Sequence, residues 1–243
     1  MTVLIEKGIE LITVKPILQN LYDRLQFFYE QSTTEQKSGC EICPVNCENI
    51  VEGRNVSMQY GGTQVVKNLS FSIPKGKVTL LKGANGSGKS TLIRLICGFE
   101  SPLSGWIVIN GKMASSSNIV SISLTAQDST LFRYAGPKEN VLPDADNLTV
   151  IEQISAHFHS FLLDSVEDEQ TTENLSGGEA QKIKIIRSFM KQAALLILDE
   201  PENHLDSNSI EYLIDCIKRE NRSVLIVSHF EKFDMIADHI VEL

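Results

Sequence analysis

Basic charge is in short supply in this chain. Its 22 lysines and arginines face 31 aspartates and glutamates, leaving a formal net charge of −9. A general nucleic-acid binder carries a basic footprint, so that class is set aside and no nucleic acid is expected as a partner. Long apolar runs are missing too: nowhere do about 18 uncharged apolar residues follow one another, so no helical membrane span is expected. The N-terminus lacks the basic segment, apolar core and small-residue cleavage site of a secretory signal. Cysteine is scarce, five residues in all and an odd number, which argues for a reducing cytosol over a disulfide framework. Neither an internal repeat nor a low-complexity tract is present. What remains is 243 residues, 42% hydrophobic, enough for one α/β domain or a domain with a subdomain.

The most informative stretch is Gly83-Ala84-Asn85-Gly86-Ser87-Gly88-Lys89-Ser90, of the form G-x-x-x-x-G-K-[ST]. The β-prone run Lys77–Leu81 precedes it, and Thr91–Cys97, with apolar residues at helical spacing, follows. Strand, glycine loop and helix form the context in which this pattern becomes a phosphate site. Glycines let backbone N–H groups point inward around phosphate oxygens, and the helix dipole adds positive potential at the same point. Lys89 is placed for the outer phosphates and the Ser90 hydroxyl for Mg²⁺.

Two further segments fit that chemistry. Leu195–Leu198 is a short, wholly apolar strand that ends in Asp199-Glu200. A buried strand ending so puts a carboxylate at the C-terminal edge of a sheet, where open α/β sheets bind ligands. Asp199 then suits the Mg²⁺ held by Ser90, and Glu200 suits the polarisation of an attacking water. Leu175-Ser176-Gly177-Gly178-Glu179 opens a helix from Ala180 to Met190. Ser176 reads as a helix N-cap, and the same Ser-Gly-Gly turn is a second anion site. One nucleotide cannot be closed on by both edges of a single cassette, which points to two cassettes facing each other.

The rest divides at about residue 50, into an N-terminal segment 1–49 and a domain 50–243. Apolar stripes at Leu4, Ile5, Ile9 and Ile12 and at Ile17, Leu21, Leu25 and Phe28 suggest helices ahead of the polar linker Gln31–Gly39. Cys40, Cys43 and Cys47 follow. They are either ordinary reduced thiols or a metal site short of a fourth ligand, with Glu41 and Glu48 as weak candidates. Short β-prone runs at Asn55–Tyr60, Leu69–Ile73 and Val78–Leu81, with turns at Gly61-Gly62 and Pro74–Gly76, suggest an antiparallel β subdomain. Trp106–Ile109 and Ile119–Thr125, separated by Asn110-Gly111, read as strands, and Thr149–Leu163 as a helix. Ile210, Leu213, Ile214 and Ile217 line one face of a helix beginning at Asp206-Ser207, and Val224–Val227 is the last expected strand. With Leu243 close behind it, no C-terminal regulatory domain is expected.

Taken in order, these motifs resemble the nucleotide-binding domain of the ATP-binding cassette (ABC) family over about residues 50–243. Leu175–Glu179 resembles the family signature, with Glu179 where the family usually has Gln. Tyr60 matches the aromatic that stacks on adenine, and Gln127 the Q-loop glutamine that touches Mg²⁺ and reports to the transport domain. Asp206 matches the D-loop aspartate at the dimer interface, and His229 the switch histidine at the γ-phosphate. The resemblance implies an α/β, P-loop NTPase (RecA-like) core with an antiparallel β subdomain and a helical subdomain at about 128–180. It implies ATP bound by Tyr60, Gly83 to Thr91, Gln127, Ser176 to Gly178 and Asp206, with Mg²⁺ on Ser90, Gln127 and Asp199, and with Lys89, Glu200 and His229 catalytic. Each residue outside the phosphate loop also has a plainer reading: Tyr60 as a strand tyrosine, Gln127 as loop surface, His229 as a helix start, Asp206 as a helix cap.

The resemblance further implies an ATPase that works with a second cassette and a transmembrane transport domain at the cytoplasmic face of a membrane. Lys15–Gly39, and Leu131-Phe132 with Glu139-Asn140-Val141, resemble the family's exporters. Gln170–Asn174 lacks the glycine-containing stretch of many exporters, and Asn203–Asp206 resembles the ribosome-associated branch. A soluble ABC protein acting on ribosomes or nucleic acid is therefore the alternative, and a non-enzymatic nucleotide-gated module a third.

Overall fold

The computed structural model describes residues 48–115, 121–126, 131–132, 140–141 and 175–243. All belong to one compact unit, Val45–Leu243. The N-terminal stripes, the cysteine cluster, Gln127, the helix expected at Thr149–Leu163 and most of the expected helical subdomain lie outside the described residues.

Two sheets organise the described chain. The first is antiparallel, built from β1 (Asn49–Tyr60), β2 (Thr63–Pro74), β4 (Ser104–Ile109) and β5 (Lys112–Met113), in the order β2-β1-β4-β5. The β1–β2 hairpin closes through Gly61 and Gly62, both at positive φ (54° and 84°) between the paired Tyr60 and Thr63. A two-residue turn with both central residues left-handed matches strand twist, and glycine adopts it without a Cβ clash. The Asn110-Gly111 turn repeats this device between β4 and β5. It therefore closes a local hairpin onto Lys112–Met113, and does not lead directly to the strand near Thr125 as the sequence suggested. Two residues are too few to show an alternating pattern.

The second sheet is parallel in all its pairings. It contains β3 (Val78–Lys82), β6 (Ile122–Thr125), β7 (Leu195–Asp199), β8 (Ser223–Val227) and β9 (His239–Glu242), in the order β6-β7-β8-β3-β9. The run Val78–Leu81 belongs here and not to the antiparallel subdomain, which corrects that part of the sequence reading. The turn through Gly76, at φ 62°, carries the chain from one sheet to the other.

Side-chain alternation divides the core in two. Leu81, Leu195, Ile197, Leu225 and Val227 face one cluster, shared with α1 (Lys89–Ile96) and the antiparallel sheet. Leu80, Leu196, Leu198, Val224 and Ile226 face another, shared with α2 (Gly177–Met190) and α3 (Ser207–Arg219). Burial on both faces explains why Leu195–Leu198 of β7 and Val224–Val227 of β8 are continuous apolar runs. Val224 to Val227 are at most 1% exposed, and each such side chain contributes roughly 1.5–3 kcal/mol on burial.

Candidate functional site

The strand order decides what meets at the C-terminal edge of the parallel sheet. β3 delivers the glycine loop and Lys89, and β8 delivers His229. β7 delivers Asp199 and Glu200, while β6 ends at Thr125, two residues short of Gln127. With neighbouring strands about 4.8 Å apart, the ends of β3 and β7 stand about 10 Å apart, with the end of β8 between them. Gln127 itself lies outside the described residues, so its placement at the site stays an expectation.

The loop itself is built for an anion. Gly88 is the N-cap of α1, at φ 102° and without a side-chain cap. The N–H groups of the first turn, those of Lys89, Ser90 and Thr91, are therefore left to an external acceptor. A Cβ on Gly88 would lie 3.0 Å from the Val65 carbonyl of β2, so glycine is required both for conformation and for space. Ala84, Asn85, Gly86 and Ser90 are exposed, whereas the Ser87 hydroxyl is buried without a partner among the described residues. Lys89 is only 8% exposed, and its Nζ donates to the carbonyls of Gly83 (2.7 Å) and Ala84 (3.0 Å). An unpartnered hydroxyl, uncapped N–H groups and a converging ammonium fit a polyphosphate. The exposed Ser90 hydroxyl and the Asp199 carboxylate are the hard oxygen donors suited to Mg²⁺.

Lys89 Nζ also approaches Nε2 of His229 at 3.1 Å. An ammonium has no acceptor, so the imidazole accepts there with its proton on Nδ1. This pairing joins the phosphate loop to the end of β8.

Glu200 occupies the left-handed region at φ 46°, a conformation that costs a non-glycine residue about 1–2 kcal/mol. Its N–H donates to Val227 O at 2.8 Å, and one carboxylate oxygen accepts from Asn203 Nδ2 at 2.8 Å. Those two contacts tie the strained backbone to β8 and the carboxylate to Asn203. Tyr60, at the end of β1, is 39% exposed and reaches Thr91 and Arg94 of α1. Its hydroxyl donates to Glu100, and burial, then that carboxylate, raise the phenol above its usual range. Its hydroxyl thus stands near the start of α1, while the residue itself closes strand β1.

Helix α2 lies against β6 and β7. Gln181 donates to Pro201 O (3.3 Å) near its start, and Lys191 donates to Ile122 O (2.7 Å) just past its end. Its N-terminus therefore stands at the same sheet edge as the loop, on the far side of β7. Ser176 and Glu179 form a capping box: Glu179 Oε2 accepts from Ser176 N–H at 2.8 Å, and Ser176 Oγ accepts from Glu179 N–H at 3.3 Å. This gives Glu179 a local reason to be acidic, since a carboxylate complements the helix N-terminus. Gly177 packs on the His204 ring, and a Cβ on Gly178 would come 2.8 Å from the His204 carbonyl. The segment after β7 is thus keyed to the start of α2.

Asp206 caps α3, accepting from the N–H of Ser209 at 2.9 Å and from its hydroxyl at 3.1 Å. The backbone hydrogen bond is the leading cause that lowers its carboxyl below the ordinary range. Asp206→Ala is expected to cost about 1 kcal/mol in denaturant unfolding at neutral pH. Since the folded-state pKa is depressed, that contribution is present above the ordinary carboxylate range. The two proteins should converge as pH falls through the lowered value.

Sequence reasoning gave no site role to Asn203, Glu202 or Ser228. A third carboxylate just beyond Asp199-Glu200 was a readable signal for Glu202; nothing in the pattern marked Ser228, a strand-end serine.

Comparison with known proteins gives the family and the fold. A family model described as ABC transporter matches residues 66–203, more than half of the chain. ABC transporter B family member 1 of Arabidopsis thaliana is 34% identical over 223 residues, 83% of this chain and 17% of that protein. A probable ABC transporter ATP-binding/permease protein of Haemophilus influenzae is 32% identical over 206 residues, 79% of this chain and 37% of its own length. The energy-dependent translational throttle protein EttA of the same species is 29% identical over 196 residues, 80% of this chain and 35% of that one. This chain thus spans little more than a third, or less, of these relatives. Among solved structures, a bacterial Atm1-family ABC exporter with ATP bound shares the fold at a TM-score of 0.71 and 22% identity, over 93% of this chain and 43% of that one. The ATP binding subunit of an ABC transporter does so at 0.70 and 24%, over 80% of this chain and 85% of that one. The matched span runs through the phosphate loop, the Ser176 turn and the Asp199-Glu200 pair, and the chain belongs to the ABC transporter family as its ATP-binding, ATP-hydrolysing domain.

Proposed function

We propose that the chain is the nucleotide-binding subunit or domain of a transporter that drives export across a membrane, working as a pair of cassettes on its cytoplasmic face. The reading rests on one observation above all: Lys89, His229, Asp199 and Glu200 follow adjacent strands to one sheet edge, while Ser176 and Gly177 are exposed beyond β7. The loop at Gly83 to Thr91 takes the phosphates of ATP, and Tyr60 the adenine. Ser90, Asp199 and Gln127 would hold Mg²⁺, which screens phosphate charge when bound. Glu200 takes the proton of the attacking water, and His229 and Lys89 hold the γ-phosphoryl group. The partner cassette supplies Ser176 to Gly178, with Asp206 beside the interface. Catalysis of this kind is positioning and charge stabilisation.

Export is proposed on the exporter-like Leu131-Phe132 with Asn140, although relatives named as import ATP-binding proteins match this chain at similar identity. Buried Asn140 clasps Phe132, accepting from its N–H at 2.7 Å and donating to its carbonyl at 3.1 Å, which leaves the Phe132 ring 63% exposed. A presented aromatic suits contact with a membrane domain. The similarity to EttA, a translational throttle protein, and the Asn203–Asp206 segment favour a ribosome-bound ATPase as the second reading. Fractionation of cells expressing the chain at native level separates them. Sedimentation with membranes and co-purification of an integral membrane partner are expected; co-migration with ribosomes in a sucrose gradient would favour the alternative.

A further inference from the structure

Glu202 lies between the carboxylate segment and the histidine segment and has no part in the roles above. Its Oε1 accepts a short hydrogen bond from the Ser228 hydroxyl. That hydroxyl in turn accepts from the N–H of Phe230 at 2.9 Å, and Ser228 is 1% exposed. The donor and one acceptor lone pair of the Ser228 hydroxyl are thus spent on fixing the turn in which His229 sits. His229 reaches Lys89, and Lys89 reaches the loop carbonyls. An unbroken chain of contacts runs from Glu202 to the phosphate loop.

We propose that Glu202 is a positioning residue for ATP hydrolysis: through Ser228 it holds the turn that aims His229 at the phosphate site. The inference rests on the site reading above. The remaining oxygen of Glu202, Oε2, is buried without a partner among the described residues, so the side chain is retained at a desolvation cost. Burial raises its pKa, opposed by the Ser228 bond and reinforced by nearby Glu200. Such a cost fits a residue kept for geometry better than one kept for stability.

The test is a double-mutant cycle on steady-state ATPase activity of the full chain. Glu202→Ala and Ser228→Ala should each lower kcat about tenfold with KM for ATP little changed, since a lost tenfold is the scale of one misaligned hydrogen bond. The double variant should be no slower than the worse single one, because both break the same contact. Glu202→Gln, which keeps an acceptor for Ser228, should recover most of the lost kcat. Multiplying effects in the double variant, or unchanged kcat in Ser228→Ala, overturns the proposal. If Glu202→Ala does not fold, Glu202→Gln and Ser228→Ala decide it alone: loss in the second with retention in the first supports it, and the reverse refutes it. Glu200→Gln run in parallel separates the two levels. Lost turnover there with normal Glu202 and Ser228 variants condemns only this inference, whereas retained turnover condemns the site reading.

Discussion

Glu200→Gln is expected to leave ATP binding intact, to cut hydrolysis by at least about a hundredfold, and to accumulate an ATP-bound pair of cassettes. The substitution is close to isosteric. The amide oxygen can still accept from Asn203 Nδ2, which holds the present carboxylate at 2.8 Å. The backbone keeps its left-handed turn, because Glu200 N–H remains bonded to Val227 O. What disappears is the capacity to take a proton. The phosphate loop, the Lys89 contacts and the Tyr60 ring stand on other strands and are untouched, so binding persists while the bond-breaking step stalls. Nucleotide affinity by fluorescence, turnover by phosphate release, and size on gel filtration in ATP provide the three readouts. Wild-type turnover in this variant would remove Glu200 from the role of general base.

That prediction was open to the sequence because the chemistry sits at chain-adjacent positions. A glycine loop after one apolar strand and a carboxylate pair after another are local patterns, and a parallel sheet with ligands at its C-terminal edge brings them together. β7 and β8 were readable for a related reason: strands buried on both faces are predominantly apolar, and Leu195–Leu198 and Val224–Val227 appear as unbroken apolar runs. The failures are non-local. Val78–Leu81 has the same β-prone composition whichever sheet it joins, and only its pairing with β8 and β9 decides the matter. β9 went unseen because His239-Ile240-Val241-Glu242 is a short edge strand whose one buried position, Val241, leaves no periodicity to count.

The same contrast holds inside the site. Asp206 was legible as a cap because Ser209 lies three residues on, within the reach of a cap. Ser228 was not, because its partner Glu202 lies 26 residues away and meets it only through the β7–β8 pairing. Glu179 shows how a departure from a family pattern can have a local cause. Its carboxylate folds back on Ser176 N–H in a capping box, and the charge is spent at the helix terminus. Gly178 is different again: any signature motif requires it by rule, but here the reason is the His204 carbonyl 2.8 Å from where a Cβ would stand.

That close approach gives the most demanding test of a site shared between two copies. Gly178→Val places its side chain against backbone, which cannot rotate away, so the Ser176–Gly178 turn must shift while the chain's own phosphate loop remains whole. Lys89→Ala does the converse. It removes an ammonium whose charge-assisted hydrogen bonds are worth about 1.5–3 kcal/mol each, and leaves the turn whole. Each variant alone should show almost no turnover: pairs of Gly178→Val bind ATP but cannot close on it, and pairs of Lys89→Ala do not bind it. In a mixed pair one site inherits both defects. The other combines the intact loop of the Gly178→Val chain with the intact turn of the Lys89→Ala chain. Equal mixing makes half of the pairs mixed, each with one whole site of two, so activity should return to about a quarter of wild type under the symmetry of a two-fold assembly. Activity that stays at the floor of the single variants would show that this cassette does not complete its site with a second copy of itself, and would assign the opposing turn to a different chain.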